Sequence, residues 1–162
     1  MSILIKNGRI VTADADYSAD IFIEGETIST IGKNLKVNAD TVIDATGKLV
    51  LPGGIDPHVH LDMPFMGTFS SDNYETGTRA ALFGGTTMVI DFILQKPGNS
   101  LQSALEEWRG RSNGNCVGDY SFHMAVTDFN EETKNEIQQF TEQEGITSFK
   151  TVMAYRAAVL SA

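Results

Sequence analysis

The sequence predicts an α/β fold. A small β module over residues 1–48 is followed, over residues 49–162, by four β/α units, as many as make up half of a (β/α)8 barrel. Two observations predict it. Short apolar runs separated by Gly- and Asn-containing turns fill the first 48 positions. From about Leu49 the pattern changes to apolar strand then amphipathic helix, repeated. Strands alternating with helices in this way build parallel sheets with helical crossovers.

In the first part, Ile3-Leu4-Ile5 and Ile10-Val11 flank Asn7-Gly8, whose residues tolerate positive φ, so a hairpin is predicted there. Ile21-Phe22-Ile23 and Ile28-Ser29-Thr30-Ile31 flank a second turn at Glu24-Gly25-Glu26, and Thr41-Val42-Ile43 and Lys48-Leu49-Val50 flank Asp44 to Gly47. The barrel strands are predicted at Leu49–His60, Thr86–Phe92, Tyr120–Val126 and Ile146–Met153. Between them, Asp72 with Glu75 predicts a capping box ahead of Tyr74, Ala81 and Leu82. Ser100 caps a helix with Leu101, Ala104, Leu105 and Trp108 on one face. Asn130 opens a mostly polar helix carrying Ile137 and Phe140, stopped at Gly145. A whole barrel takes roughly 250 residues. Four units ending at Ala162 are therefore either a smaller open sheet or the front portion of a longer protein, and the second is expected.

Bulk properties exclude several classes. A chain of 162 residues, 41% apolar and 20% charged, has the means for a real core. A net charge of −9, from 12 basic and 21 acidic residues, argues against nonspecific nucleic-acid binding. No apolar run reaches transmembrane length, and MSILIKNG lacks the layout of a signal peptide. A cytoplasmic protein with no membrane partner is expected. Cys116 is the only cysteine, so no internal disulfide forms.

The densest chemical signal is His58-Val59-His60 at the end of an apolar run. Residues i and i+2 of a strand share a face. Two imidazoles held this way suit a divalent metal, Zn²⁺ above all. The same pair also fits one packed and one solvated histidine at a strand end, and spacing alone does not choose.

The surrounding residues do choose. Gly53-Gly54-Ile55-Asp56-Pro57-His58-Val59-His60 resembles the signature of the amidohydrolase superfamily. Met63 to Thr68, Glu75 to Ala81, Gly84-Gly85-Thr86-Thr87, Asp119 to His123 and Gly145 to Lys150 resemble the D-hydantoinase and dihydropyrimidinase family. So do Leu4 to Gly8 and Ile43 to Lys48, and the likeness runs the length of the chain in register.

That resemblance implies that residues 49–162 are the first four units of a metal-dependent-hydrolase (β/α)8 barrel, that residues 1–48 are part of a small β-sandwich module, and that two divalent ions are held, Zn²⁺ first and Mn²⁺ or Co²⁺ as alternatives. His58 and His60 match its metal ligands, and Lys150 matches a lysine that CO₂ carboxylates into a ligand shared by both metals. Lys150 lies among Phe149, Val152 and Met153, where a bare ammonium is costly. Tyr155 matches a tyrosine that hydrogen-bonds the substrate. Phe65, Val152 and Val159 match positions lining the pocket for its exocyclic group. His123 matches a position that is not a ligand, so a structural or pocket-lining role is expected. The implied reaction opens a small cyclic diamide, a dihydropyrimidine or a 5-substituted hydantoin, to an N-carbamoyl amino acid. The proton-shuttling aspartate is expected beyond Ala162, so these 162 residues alone are expected to be inactive. The family assembles as a homotetramer. Asp62 stands where dihydroorotases carry an arginine for a carboxylated substrate. A truncated, non-catalytic relative acting as a binding or regulatory piece is the alternative.

Overall fold

The chain begins with a ten-residue strand whose middle is bent rather than turned. In the computed structural model, which describes residues 1–65 and 67–152, β1 (Ser2–Val11) runs straight through the Asn7-Gly8 site. It pairs antiparallel with β2 (Asp16–Glu24), and the register slips between Ile5 and Gly8. Asn7 takes the positive φ the sequence suggested, 61°, but as a β-bulge inside one strand. The expected hairpin is absent because two side chains hold the bulge. Asp20, buried on β2, accepts from Asn7 N at 2.9 Å, and Asp44 accepts from Asn7 Nδ2 at 3.0 Å.

The turn at Gly25, with φ 62°, leads as expected into β3 (Thr27–Gly32). Then β4 (Thr41–Asp44) and β5 (Leu49–Val50) both run parallel to β1, one after the other along its length. The sheet order is β3-β2-β1-β4, with β5 beside β1. Its core is Ile10, Ala19 and Ile21, with Ile5, Ile23 and Val50 packed against them. This first unit spans Met1–Pro52, and a second begins at Gly53.

That boundary corrects one expectation. Leu49–His60 is two strands, not one, because Leu49 and Val50 pair with Arg9 and Ile10 of the first sheet. The second unit opens with β6 (Gly54–Val59), then a short hairpin of β7 (Pro64–Phe65) and β8 (Thr68–Phe69). Helix α1 (Tyr74–Phe83) follows, then β9 (Thr86–Leu94), α2 (Leu101–Ser112), β10 (Asp119–Ala125) and α3 (Glu131–Gln139). A single π turn (Phe140–Glu144) ends at Gly145, φ 71°, and leads to β11 (Phe149–Lys150). The four strands β6, β9, β10 and β11 are all parallel and lie in chain order.

Local chemistry sets the helix starts. Asn73, not Asp72, caps α1: Thr76 N donates to its side chain at 2.9 Å, and Asn73 N donates to Thr76 Oγ1 at 3.1 Å. Asp72 instead accepts from the Thr76 hydroxyl. Ser100 and Asn130 cap α2 and α3 as expected. The predicted stripe Leu101, Ala104, Leu105 and Trp108 is fully buried, with Tyr74, Val89, Ile93, Phe122, Met124 and Phe140, in one layer between sheet and helices. The other face of the sheet is open, and Ile55 there is 61% exposed.

Candidate metal centre

Strand parity decides which side chains meet on the open face. Val89 and Ile93 of β9 point to the helices, so Phe92 points away from them. Phe92 is in register with His123 of β10, and Lys150 of β11 with Ala125, two positions on. His58 and His60 flank Val59, which packs toward the helices, so both imidazoles join the Phe92 side.

The Phe92 ring is the floor beneath these groups. Its centroid lies 4.5 Å from the His58 ring, 5.3 Å from His60 and 4.8 Å from His123. Lys150 Nζ stands 4.3 Å above the same ring, a cation–π contact worth about 0.5–1 kcal/mol. The two imidazoles of the pair are 5.2 Å apart and edge to face. Desolvation, with His58 and Lys150 nearby, lowers the His60 pKa, so its imidazole keeps a free lone pair at neutral pH. Two imidazoles and a lysine side chain on one face offer nitrogen-donor chemistry that fits a divalent ion. Among the described residues, no group of three or more His, Cys, Asp or Glu side chains is placed to hold a metal.

The sequence reading missed Phe92 as part of this arrangement. The signal was available: Phe92 ends a predicted strand neighbouring the His-Val-His strand, but only the register puts its ring under three imidazoles.

Behind the face, buried Asp91 ties β9 to the segment that follows His60. It accepts from Tyr74 Oη at 2.8 Å, Leu61 N at 3.3 Å and Phe92 N at 2.7 Å. Burial nevertheless dominates and raises its carboxyl pKa to about 6. The same burial, then the Asp91 charge, pushes the Tyr74 phenol far up. Cys116 nearby is raised to about 11, again by burial first, which suits the inert thiol expected of it.

The loop after His60 is pinned at its neck. Asp62 takes φ 48°, its N–H donates to Asp72 O at 2.8 Å, and its carbonyl accepts from Arg111 Nη1 at 2.6 Å. Met63 and Ser70 bond twice, which closes the β7–β8 hairpin. Inside it, His60, Met63, Phe65 and Phe69 line a mostly apolar cavity of about 380 Å³. Phe65 is thus placed beside His60. Val152 is half-buried just past β11. Tyr155 and Val159 lie outside the described residues.

Comparison with known proteins shows the family. A model of the amidohydrolase family matches residues 49–158. A D-hydantoinase of Geobacillus stearothermophilus is 51% identical over 156 residues, covering 96% of this chain and 33% of the relative. A dihydropyrimidinase of Rattus norvegicus is 43% identical, over 95% of this chain and 31% of its own length. The crystal structure of dihydropyrimidinase from Brevibacillus agri NCHU1002 superposes on all of this chain with a TM-score of 0.96 and 49% identity. This chain covers 35% of that structure. The chain thus spans about a third of the length of the curated relatives it matches.

Proposed function

Because this chain belongs to the amidohydrolase family, and its strand ends gather His58, His60 and Lys150 over Phe92, we infer that it forms the metal-holding front of a cyclic amidohydrolase. The substrate class is a dihydropyrimidine or a 5-substituted hydantoin, as the names of its relatives suggest. The product is an N-carbamoyl amino acid. The observation that carries this reading is the convergence of the two imidazoles and the lysine amine on one aromatic ring.

The residues divide the work. His58 and His60 supply imidazole nitrogen donors. Lys150, once its amine has taken up CO₂, adds an anionic oxygen donor beside them. A bound pair of divalent ions, Zn²⁺ first by its preference for imidazole, would acidify water and polarise the amide carbonyl. Phe92 excludes water beneath the donors. The cavity lined by Phe65 and Phe69 would receive the substituent on the substrate ring. By their match to the family, Val152 and Val159 are assigned to the pocket for that substituent, and Tyr155 to a hydrogen bond with the substrate oxygen. A cytoplasmic homotetramer, with no nucleic-acid or membrane partner, completes the reading.

The test is made on the natural gene product. Its intact mass and metal content are measured, and its opening of 5,6-dihydrouracil and of hydantoin is followed by loss of ring absorbance. The expected result is activity that a chelator removes and Zn²⁺, Mn²⁺ or Co²⁺ restores. A product that neither retains metal nor opens either ring would reject the reading and favour a non-catalytic binding piece.

A further inference from the structure

The backbone of β6 is irregular just where the first histidine stands, and one side chain from another strand absorbs the irregularity. Asp56 pairs with Val89 and Val59 with Asp91. Two residues, Pro57 and His58, therefore oppose the single residue Ile90. Such a bulge leaves backbone groups without ladder partners, and each needs another. Pro57 has no N–H to place. The His58 N–H donates to Asp56 Oδ1 at 3.1 Å. The Pro57 carbonyl accepts from His123 Nε2 at 2.8 Å. Because a carbonyl only accepts, Nε2 carries the proton in that bond.

To make that bond, His123 reaches from β10 across β9 to β6, its ring lying on Phe92. Its other nitrogen, Nδ1, meets the hydroxyl of Ser148. Pro57 is the residue before His58, and Ser148 is two residues before Lys150. One rigid, planar ring thus joins the segment carrying the paired imidazoles to the segment carrying the lysine.

We propose that His123 is a positioning residue, a strut that sets the spacing between the His58/His60 strand end and the Lys150 strand end and so preorganises the site for a divalent ion. The inference rests on the metal-holding reading above. An imidazole suits the task because its two polar atoms lie on opposite edges of a stiff ring, so both bonds form without freezing a flexible side chain. Glutamine keeps a donor for the Pro57 carbonyl. Leucine keeps bulk over Phe92 and no donor.

The experiment is a Co²⁺ titration of the natural gene product as wild type, His123→Leu, His123→Gln and Ser148→Ala. The readouts are the visible absorption envelope of bound Co²⁺ and the affinity by chelator competition. Thermal unfolding of each metal-free protein is recorded alongside. His123→Leu is expected to bind Co²⁺ about tenfold or more weakly, as supporting contacts of metal ligands do, with an altered envelope. His123→Gln is expected to recover most of both. Ser148→Ala is expected to lose about threefold, the equivalent of one ordinary hydrogen bond. A wild type that binds no Co²⁺ overturns the metal reading and the strut together. A wild type that binds, with His123→Leu equal to it in affinity and envelope, overturns the strut alone. His123→Gln as weak as His123→Leu also overturns it, since the donor to Pro57 is the point. Should His123→Leu fail to fold, Ser148→Ala decides: weaker binding upholds the strut, and unchanged binding rejects it.

Discussion

Asp91 is a carboxylate placed where water does not reach, and its titration exposes what that placement costs. Its pKa of about 6 in the folded chain lies above the ordinary 3.8. The folded form therefore binds the extra proton between those values, and stability falls as pH rises through that window. The shift corresponds to roughly 3 kcal/mol. Depressed carboxyls such as Asp44, held at about 2 chiefly by Asn7 and Thr46, act in the opposite sense, losing their stabilisation as pH falls. The difference between wild type and Asp91→Asn isolates the buried group. Denaturant unfolding from pH 3 to 8 is expected to show wild type losing ground to the variant between about pH 4 and 6. A pH-independent difference would mean that Asp91 titrates normally. None of this was legible from sequence, because Asp91 is an unremarkable letter in an apolar strand until Tyr74 and Leu61 enclose it. His58 and His60 were legible, since strand parity alone puts them on one face.

Elements were legible wherever a short segment carries its own reason. Ser100 and Asn130 cap their helices with their own side chains, and the Leu101–Trp108 stripe buries as its spacing demands. What sequence could not supply is the second cap on α2. Glu136, on the following helix, accepts from Leu101 N at 2.8 Å and Gln102 N at 3.0 Å. A carboxylate at a helix N-terminus meets both free N–H groups and the positive end of the dipole. Glu136→Ala is expected to destabilise the second unit by about 2–3 kcal/mol, against about 1 kcal/mol for Ser100→Ala. Urea unfolding of both variants checks the ranking, and an Glu136→Ala loss no larger than that of Ser100→Ala would contradict it. The Asn7-Gly8 site went the other way. Its residues permit both a hairpin and a bulge, and Asp20 and Asp44, 13 and 37 positions away, select the bulge.

At the scale of the molecule, the second sheet presents a finished layer to its helices and an open face to the other side. The two imidazoles and the lysine stand on that open face, gathered over Phe92. Residues 1–162 produced alone are expected to hold Co²⁺ weakly and to open neither dihydrouracil nor hydantoin, because a two-metal site needs more donors than these. Ring-opening rates matching those of the natural gene product would show that the donors present suffice. Among the described residues no helix is long and apolar enough to cross a membrane.

By itself the sequence determined the alternation of strands and helices, the helix starts at Ser100 and Asn130, the shared face of His58 and His60, and the resemblance that the amidohydrolase match confirms. These follow from periodicity, capping and motif, which act over a few residues at a time. Only the tertiary structure decided that Leu49–Val50 belongs to the first sheet, that Phe92 lies under the imidazoles, and that His123 spans from Ser148 to Pro57. Each of these joins groups tens of positions apart, and strand register, which local pattern does not encode, brings them together.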